Sequence, residues 1–286
     1  MPGVVVSPIT DSDRIEVAGF LHNELNPRVS VDAWAGLLQP PWSDGAPNHG
    51  YLLRVDERLV GVYAAVYAER SVGTTTATFC NLAAFCVLEE HRLHSVRLVR
   101  AILKQRGLIF TDFSPSGNVV AMNDRLGFRR LDTATRLTVN LPRWRHSAVR
   151  LTTDPTRIEA VLRGRDAIVY RDHRTAPASR HLLVECRDQY AYVVFRAVSR
   201  KRLRLFATFL YVGGDRATLV DAWGMVRAHL LFHHRLLFTL AEHRLLGPIG
   251  GLGRELRNPR PKMVRGAGIE DASVDYMYSE LALVDW

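Results

Sequence analysis

Apolar residues along this chain change their spacing from that of helices to that of strands and back, twice over. From Asp11 to Asn23 they fall at Ile15, Val17, Ala18, Phe20 and Leu21, one face of a helix behind an Asp/Ser start signal. A second short helix is predicted from Val31 to Leu38, with Ser30 as its cap and Pro40-Pro41 as its stop. The period then drops to two. Tyr51 to Val55 and Leu59 to Tyr67 flank the charged turn Asp56-Glu57-Arg58 as an antiparallel hairpin, and Thr76 to Val87 is a third strand. A charged turn leads into a helix to about Gln105, stopped by Gly107. A strand Leu108 to Phe113, a short helix from Asn118 and a strand Phe128 to Asn140 complete the half.

Leu141-Pro142-Arg143-Trp144-Arg145 breaks the pattern, so a boundary is expected near residue 145, with domains 1–145 and 146–286. Asp154-Pro155 opens a helix to Arg163. Strands follow at His181 to Cys186, Gln189 to Val198 and Arg202 to Val212. Gly213-Gly214-Asp215-Arg216 then leads into a helix to about His233, and Leu236 to Ala241 is a further strand. Tyr276 to Trp286 reads as a closing strand. The order repeats the first half loosely, a second and degenerate copy. A length of 286 residues suits two such units.

Apolar content of 47% and charged content of 23% describe a folded domain rather than a disordered chain. The net charge of +9 invites a nucleic-acid reading. The distribution argues against it: lysine occurs only at Lys104, Lys201 and Lys262, and the arginines are scattered instead of forming a stripe. The densest run, Arg196 to Arg204, reads as a hairpin turn, with an anionic-ligand patch as the alternative. No basic, apolar leader opens the chain and no apolar run reaches the roughly 20 residues of a membrane span, so a cytoplasmic protein with no membrane partner is expected. Cys80, Cys86 and Cys186 offer neither an even framework nor metal spacing. The first two, an even number apart, are expected on one side of a strand as small core residues. His229 and His233 share a helical face, but no third ligand is evident beside them, so no metal is expected.

The chemistry concentrates where the apolar segment Phe79 to Leu88 gives way to a helix. A strand-to-helix junction offers unpaired N–H groups and a partial positive charge to a pyrophosphate. The run there is Val87-Leu88-Glu89-Glu90-His91-Arg92-Leu93-His94-Ser95-Val96-Arg97, and some thirty residues on come Asn118, Ala121 and Leu126-Gly127-Phe128. Together these resemble the V-x-P-E-Y-R-G-x-G-x-G/A and closing l-G-F motifs of the GCN5-related N-acetyltransferases over roughly residues 4–140. Val87, Glu90, Arg92 and the small Ser95 match; the family's last glycine is Arg97 here. Taken singly, Gly127 and Asn118 could be no more than helix caps.

The resemblance implies an α+β fold: tandem units, each a mixed, mostly antiparallel sheet flanked by helices. It implies an acyltransferase that uses acetyl-CoA or another acyl-CoA, held by Cys86, Val87, Arg92, Leu93, His94, Ser95, Val96, Arg97 and Asn118. Transfer would be direct, to an amine or hydroxyl of a small molecule or sugar. A strand N–H would polarise the thioester carbonyl, and Glu24, His22 or Asp112 would serve as base. The family's thiolate-protonating tyrosine is Asn123 here, which cannot act as an acid. The loop Asn23 to Pro27, Trp34, Trp42 and the turn Asp44 to Asn48 would line the acceptor entrance. Arg97, Asn123 and Asp215 leave open a non-catalytic reading, an acyl-CoA sensor or scaffold. Asp215 itself reads as a helix cap, since it would repel phosphate.

Overall fold

The computed structural model describes residues 3–42, 45–73, 75–143, 148–200, 203–256 and 259–285. In chain order the first half carries β1 (Val4–Pro8), α1 (Arg14–Glu24), α2 (Val31–Leu37), β2 (Gly50–Val55), β3 (Arg58–Val72), β4 (Thr75–Val87), α3 (Ser95–Leu103), β5 (Leu108–Asp112), α4 (Gly117–Arg125), β6 (Arg129–Arg130) and β7 (Thr135–Val139). The second carries β8 (Val149–Thr152), α5 (Pro155–Val161), α6 (Gly164–His173), β9 (Arg180–Cys186), β10 (Gln189–Arg200), β11 (Leu203–Gly214), α7 (Arg216–Asp221), α8 (Trp223–His234), β12 (Phe238–Glu242), α9 (His243–Leu246), β13 (Gly253–Leu256), β14 (Met263–Arg265) and α10 (Glu280–Leu283). Local chemistry sets several boundaries. Ser30 caps α2 by accepting from the Ala33 N–H at 3.2 Å, and Asp154 caps α5 by accepting from the Thr156 N–H at 3.1 Å, each worth about 1 kcal/mol.

Two seven-stranded sheets form, in the orders β1-β2-β3-β4-β5-β14-β6 and β13-β7-β12-β11-β10-β9-β8. Read from the other end, the second order repeats the first strand for strand, except that β7 and β14 have changed places. Each sheet therefore takes one strand from the other half of the chain: β14 pairs antiparallel with β5, and β7 pairs antiparallel with β12. The first sheet is packed on both faces, against α1 and α2 through Val17, Leu21, Trp34 and Leu37, and against α3 through Leu98 and Ile102.

Three expectations need correction. The strand expected over residues 128–140 is two strands in different sheets. Asp132 turns the chain between them by accepting from the Ala134 N–H at 3.0 Å, an Asx turn that no glycine or proline announces. The closing strand expected at the C-terminus is instead an irregular segment ending in α10. There Tyr278 has φ +60°, and the Asp275 carboxylate takes the Met277 N–H at 2.9 Å, so the backbone bonds locally. Trp286 lies outside the described residues. Cys80 and Cys86 do not share a face: Cys80 packs on the α3 side and Cys86 on the α1 side. A β-bulge separates them, since Ala64 pairs with Ala84 and Ala65 with Leu82, leaving Ala83 unmatched and reversing the alternation.

The basic run 196–204 spans a hairpin whose last described pair is Arg200 with Leu203, while Lys201 and Arg202 lie outside the described residues, as do Trp144 and Arg145 of the linker. Strands β1, β8, β13 and β14 and helices α6 and α9 are not among the elements the spacing predicts. Among the described residues no helix is long and apolar enough to cross a membrane.

Candidate functional site

Strands β4 and β5 run parallel and pair from Thr78–Leu108 to Asn81–Thr111, and there the pairing stops. β4 continues through Leu82 to Val87 against β3 alone, kinked away by the bulge at Ala83. β5 ends at Asp112. Beyond Asn81 no described strand pairs with the β5-facing edge of β4, so the sheet is split along half of one strand.

A cleft of about 360 Å³ occupies the split. Its walls are Leu82 to Phe85 of β4, Asp112 and Ser114 to Ser116 at the end of β5, and Leu25, Asn26 and Trp34 from the α1–α2 region, with Arg260 also on its lining. Tyr63 of β3 lines it too, its ring 4.4 Å from Phe85. The loop expected at the acceptor entrance thus supplies Leu25 and Asn26, and Trp34 joins it. Trp42 instead packs on His173, ring centroids 4.3 Å apart, and Asn48 accepts from the Tyr67 hydroxyl at 2.9 Å. Asp44 lies outside the described residues.

Asp112 is the buried acid of this cleft. Its Oδ2 accepts from Asn123 Nδ2 at 2.9 Å and its Oδ1 from the Ser114 N–H at 3.3 Å. Burial pushes its carboxyl up to about 6, against the pull of those two bonds. Asn123, where the family places a tyrosine, is itself buried and orients the acid. Glu24 sits exposed at the end of α1 and does not line the cleft; its charge adds to burial in pushing the Cys86 thiol up to about 11. His22 donates from Nδ1 to the Val29 carbonyl at 2.7 Å, an anchor for its own loop.

The turn after β4 is wound tightly. Glu89–His94 is a 3-10 helix that runs straight into α3, with the His91 N–H on the Leu88 carbonyl and the Ser95 N–H on that of Arg92. No residue from 88 to 97 has positive φ, which follows from the absence of glycine there. Those N–H groups are engaged within the turn. Side chains face out instead: Leu93 is 92% exposed, Val96 and Arg97 are exposed, and Arg92 pairs with Glu89 at 3.4 Å on the surface. Asn118 is exposed in the first turn of α4, where Ser116 holds the cap position. Gly127, φ +82°, ends α4, and the Phe128 N–H returns to the Asn123 carbonyl at 3.0 Å.

The second half has the same geometry with different contents. β11 and β12 pair in parallel up to Thr208–Leu240, and Leu210, two residues on, is the unmatched bulge residue just as Ala83 is. Asp215 caps α7 by accepting from the Thr218 N–H at 2.8 Å, as expected. His229 stacks on His233 at 4.4 Å, and among the described residues no cluster of three potential ligands could hold a metal.

Sequence reasoning missed Glu280. It is fully buried, its N–H donates to Asn81 Oδ1 at 3.2 Å, and its Oε1 accepts from Ser114 Oγ at 2.7 Å. Nothing in the local pattern of residues 276–286 marks it, because the contact spans 166 positions.

No family model matches the chain, and no curated protein does. Solved structures do. A GCN5-related N-acetyltransferase from Anabaena variabilis superimposes with TM-score 0.60 at 12% identity, over 92% of this chain and 72% of its own. A Pyrococcus horikoshii protein superimposes with TM-score 0.54 at 10% identity, over 99% of this chain and 93% of its own. A glucosamine N-acetyltransferase region of a fungal multi-domain β-N-acetylglucosaminidase gives TM-score 0.53 at 10% identity, over 92% of this chain and 38% of that one. The chain has the fold of the GCN5-related N-acetyltransferases, with two sheets that fit a tandem arrangement.

Proposed function

We propose that the protein is an acyl-CoA-dependent acyltransferase whose reaction takes place in the split of the first sheet. The observation that carries this reading is the coincidence, at one place, of an unpaired strand edge, a bulge and a buried carboxylate. An extended, amide-bearing chain such as the pantetheine arm can pair with the free edge of β4 as an added strand would, past Leu82 to Val87. Its thioester would then lie near Asp112, with a β4 backbone N–H polarising the carbonyl. At neutral pH a carboxyl titrating at about 6 is mostly ionised, so Asp112 can draw a proton from an attacking ammonium or hydroxyl.

The acceptor is a small amine or sugar. Trp34, Tyr63 and Phe85 offer apolar and aromatic wall to such a molecule, and Asp112 offers it a charge. That the fungal region with this fold acts on glucosamine agrees with this class. Arg92, Ser95 and Arg97 would meet the phosphates with side chains, the His91 and Ser95 N–H groups being engaged within the turn. That engagement is also what favours the second reading, in which the site holds acyl-CoA weakly or not at all and the protein is a scaffold.

Calorimetric titration with acetyl-CoA and a longer acyl-CoA separates the two. Micromolar binding that Ser95→Glu weakens at least tenfold places the donor at the first turn. No binding by the wild type leaves the scaffold.

A further inference from the structure

Glu280 is a buried acid whose charge no described ion pair balances. Its Oε1 takes one hydrogen bond, from Ser114, while Oε2 is buried with no hydrogen-bond partner among the described residues. No described cation lies within salt-bridge distance of it. A leucine would fill the same space without desolvating a carboxylate, and buried polar atoms left unpaired are rare enough to ask what they do.

Its position gives the answer. The C-terminal segment touches both sheets, with the Tyr276 N–H on Leu210 of β11 and the Glu280 N–H on Asn81 of β4, and so delivers Glu280 to the point where β4 and β5 part. Asn81, in the last pair, holds the Glu280 N–H and also donates to Thr111 Oγ1 at 3.2 Å. Ser114 is in the cleft wall. Its hydroxyl donates to Glu280, and its N–H donates to Asp112, so one residue of the cleft wall joins the cleft's acid to the buried acid behind it.

An alkylammonium acceptor must lose two protons on becoming an amide, one before attack and one after. Resting on the acyltransferase reading above, we propose that Asp112 takes the first proton and that Glu280 takes the second, through the Ser114 hydroxyl. The neutral amine attacks the thioester carbonyl and the C–N bond forms. A nitrogen proton passes to Ser114 Oγ as the Ser114 proton passes to Glu280 Oε1, and the C–S bond breaks. The thiolate leaves and is protonated by water, and both acids return their protons to solvent.

The electrostatics agree with this role. Burial pushes the Glu280 carboxyl up to about 7, the Ser114 bond opposes it, the Asp112 charge adds to it, and Arg196 of β10 pulls the other way. Among the described residues, Lys262, ahead of β14, also bears on it. At pH 7.5 such an acid is ionised often enough to accept a proton and weak enough to return one.

The test is the pH–rate profile of acyl transfer to a primary amine, for wild type, Glu280→Gln, Glu280→Asp, Ser114→Ala and the Gln/Ala double variant, with acyl-CoA affinity measured alongside. Expected is a fall in kcat of about 10²-fold or more in Glu280→Gln and in Ser114→Ala. Acyl-CoA affinity should stay within about threefold, the limb near pH 7 should vanish, Glu280→Asp should recover part of the rate, and the double variant should be no slower than either single one. A Glu280→Gln enzyme with wild-type rate and profile overturns the proposal alone. Wild-type protein that binds no acyl-CoA overturns the acyltransferase reading and this proposal with it. Should Glu280→Gln fail to fold, Ser114→Ala, altered only at the cleft wall, decides by the same profile.

Discussion

The two splits of this molecule share a register and differ in what fills them. In each, a parallel strand pair ends, the longer strand bulges two residues later, and the sheet opens. In the first, the opening is a cleft with Asp112 at the end of the short strand. In the second, the register partner of Asp112 is Ala241, and Tyr276 bridges the gap. Its N–H lies on the Leu210 carbonyl at 3.0 Å, and its hydroxyl reaches Glu242 at the end of β12. Lys262 sits 3.4 Å above the Tyr276 ring and ion-pairs with Glu242 at 2.7 Å, and Arg244 pairs with the same carboxylate at 3.0 Å. The same backbone geometry thus leaves an open cleft in one unit and holds a structural plug in the other. One segment, residues 274–284, plugs the second split and places Glu280 at the first.

The most severe way to erase the contrast is to make the first split resemble the second. Asp112→Asn keeps a carbonyl for the Asn123 amide and removes the charge. Acyl transfer should fall by about 10² to 10⁴-fold while acyl-CoA affinity changes by less than about threefold. Steady-state rates together with calorimetry check both halves. A variant with undiminished rate would leave Asp112 a structural acid like Glu242.

The converse is to empty the second split. Tyr276 is fully buried, and Tyr276→Ala removes its ring from among Glu242, Lys262, Arg244 and Phe113. A loss of about 3–5 kcal/mol in urea unfolding is expected, the range for large-to-small aromatic changes in a core. It should not create a second donor site, because Ala241 supplies no acid and Asp215 stands where the turn begins. Titration should still give one acyl-CoA per chain. Two would mean that the plug alone separates the units.

Much of this contrast was legible in the sequence, and the remainder was hidden for physical reasons. The hairpin across Asp56-Glu57, the caps at Ser30 and Asp215, the helix start at Pro155, and the Gly107 and Gly127 stops are local signals, and the structure has them where the spacing put them. Asp112 was legible as a polar residue closing an apolar strand. The bulge at Ala83 was not, because an inserted alanine in an alanine-rich strand leaves no mark, and the parity of Cys80 and Cys86 was misread for that reason. The exchange of β7 and β14 was also invisible: each is a short run whose partner lies about a hundred positions away or more, and Asp132 turns the chain without glycine or proline. Glu280 needed Asn81 and Ser114 in place before it meant anything.

The smallest effect concerns Asp215, the residue whose charge most clearly sets the second turn apart from the first. Its carboxylate takes the N–H groups of Ala217 and Thr218 and the Thr218 hydroxyl, and these bonds hold its pKa below the ordinary value. The cap stabilises the start of α7, so Asp215→Ala should lower stability slightly and leave acyl-CoA affinity and transfer rate unchanged. Because the carboxylate bonds only when ionised, the difference between wild type and variant should be full at pH 7 and shrink as pH falls through the depressed pKa. Unfolding midpoints at pH 7 and pH 3 measure this. A gain in acyl-CoA binding by Asp215→Ala would show that the acid had been excluding phosphate from a turn otherwise fit to hold it, and the second unit would then differ from the first by one charge rather than by its plug.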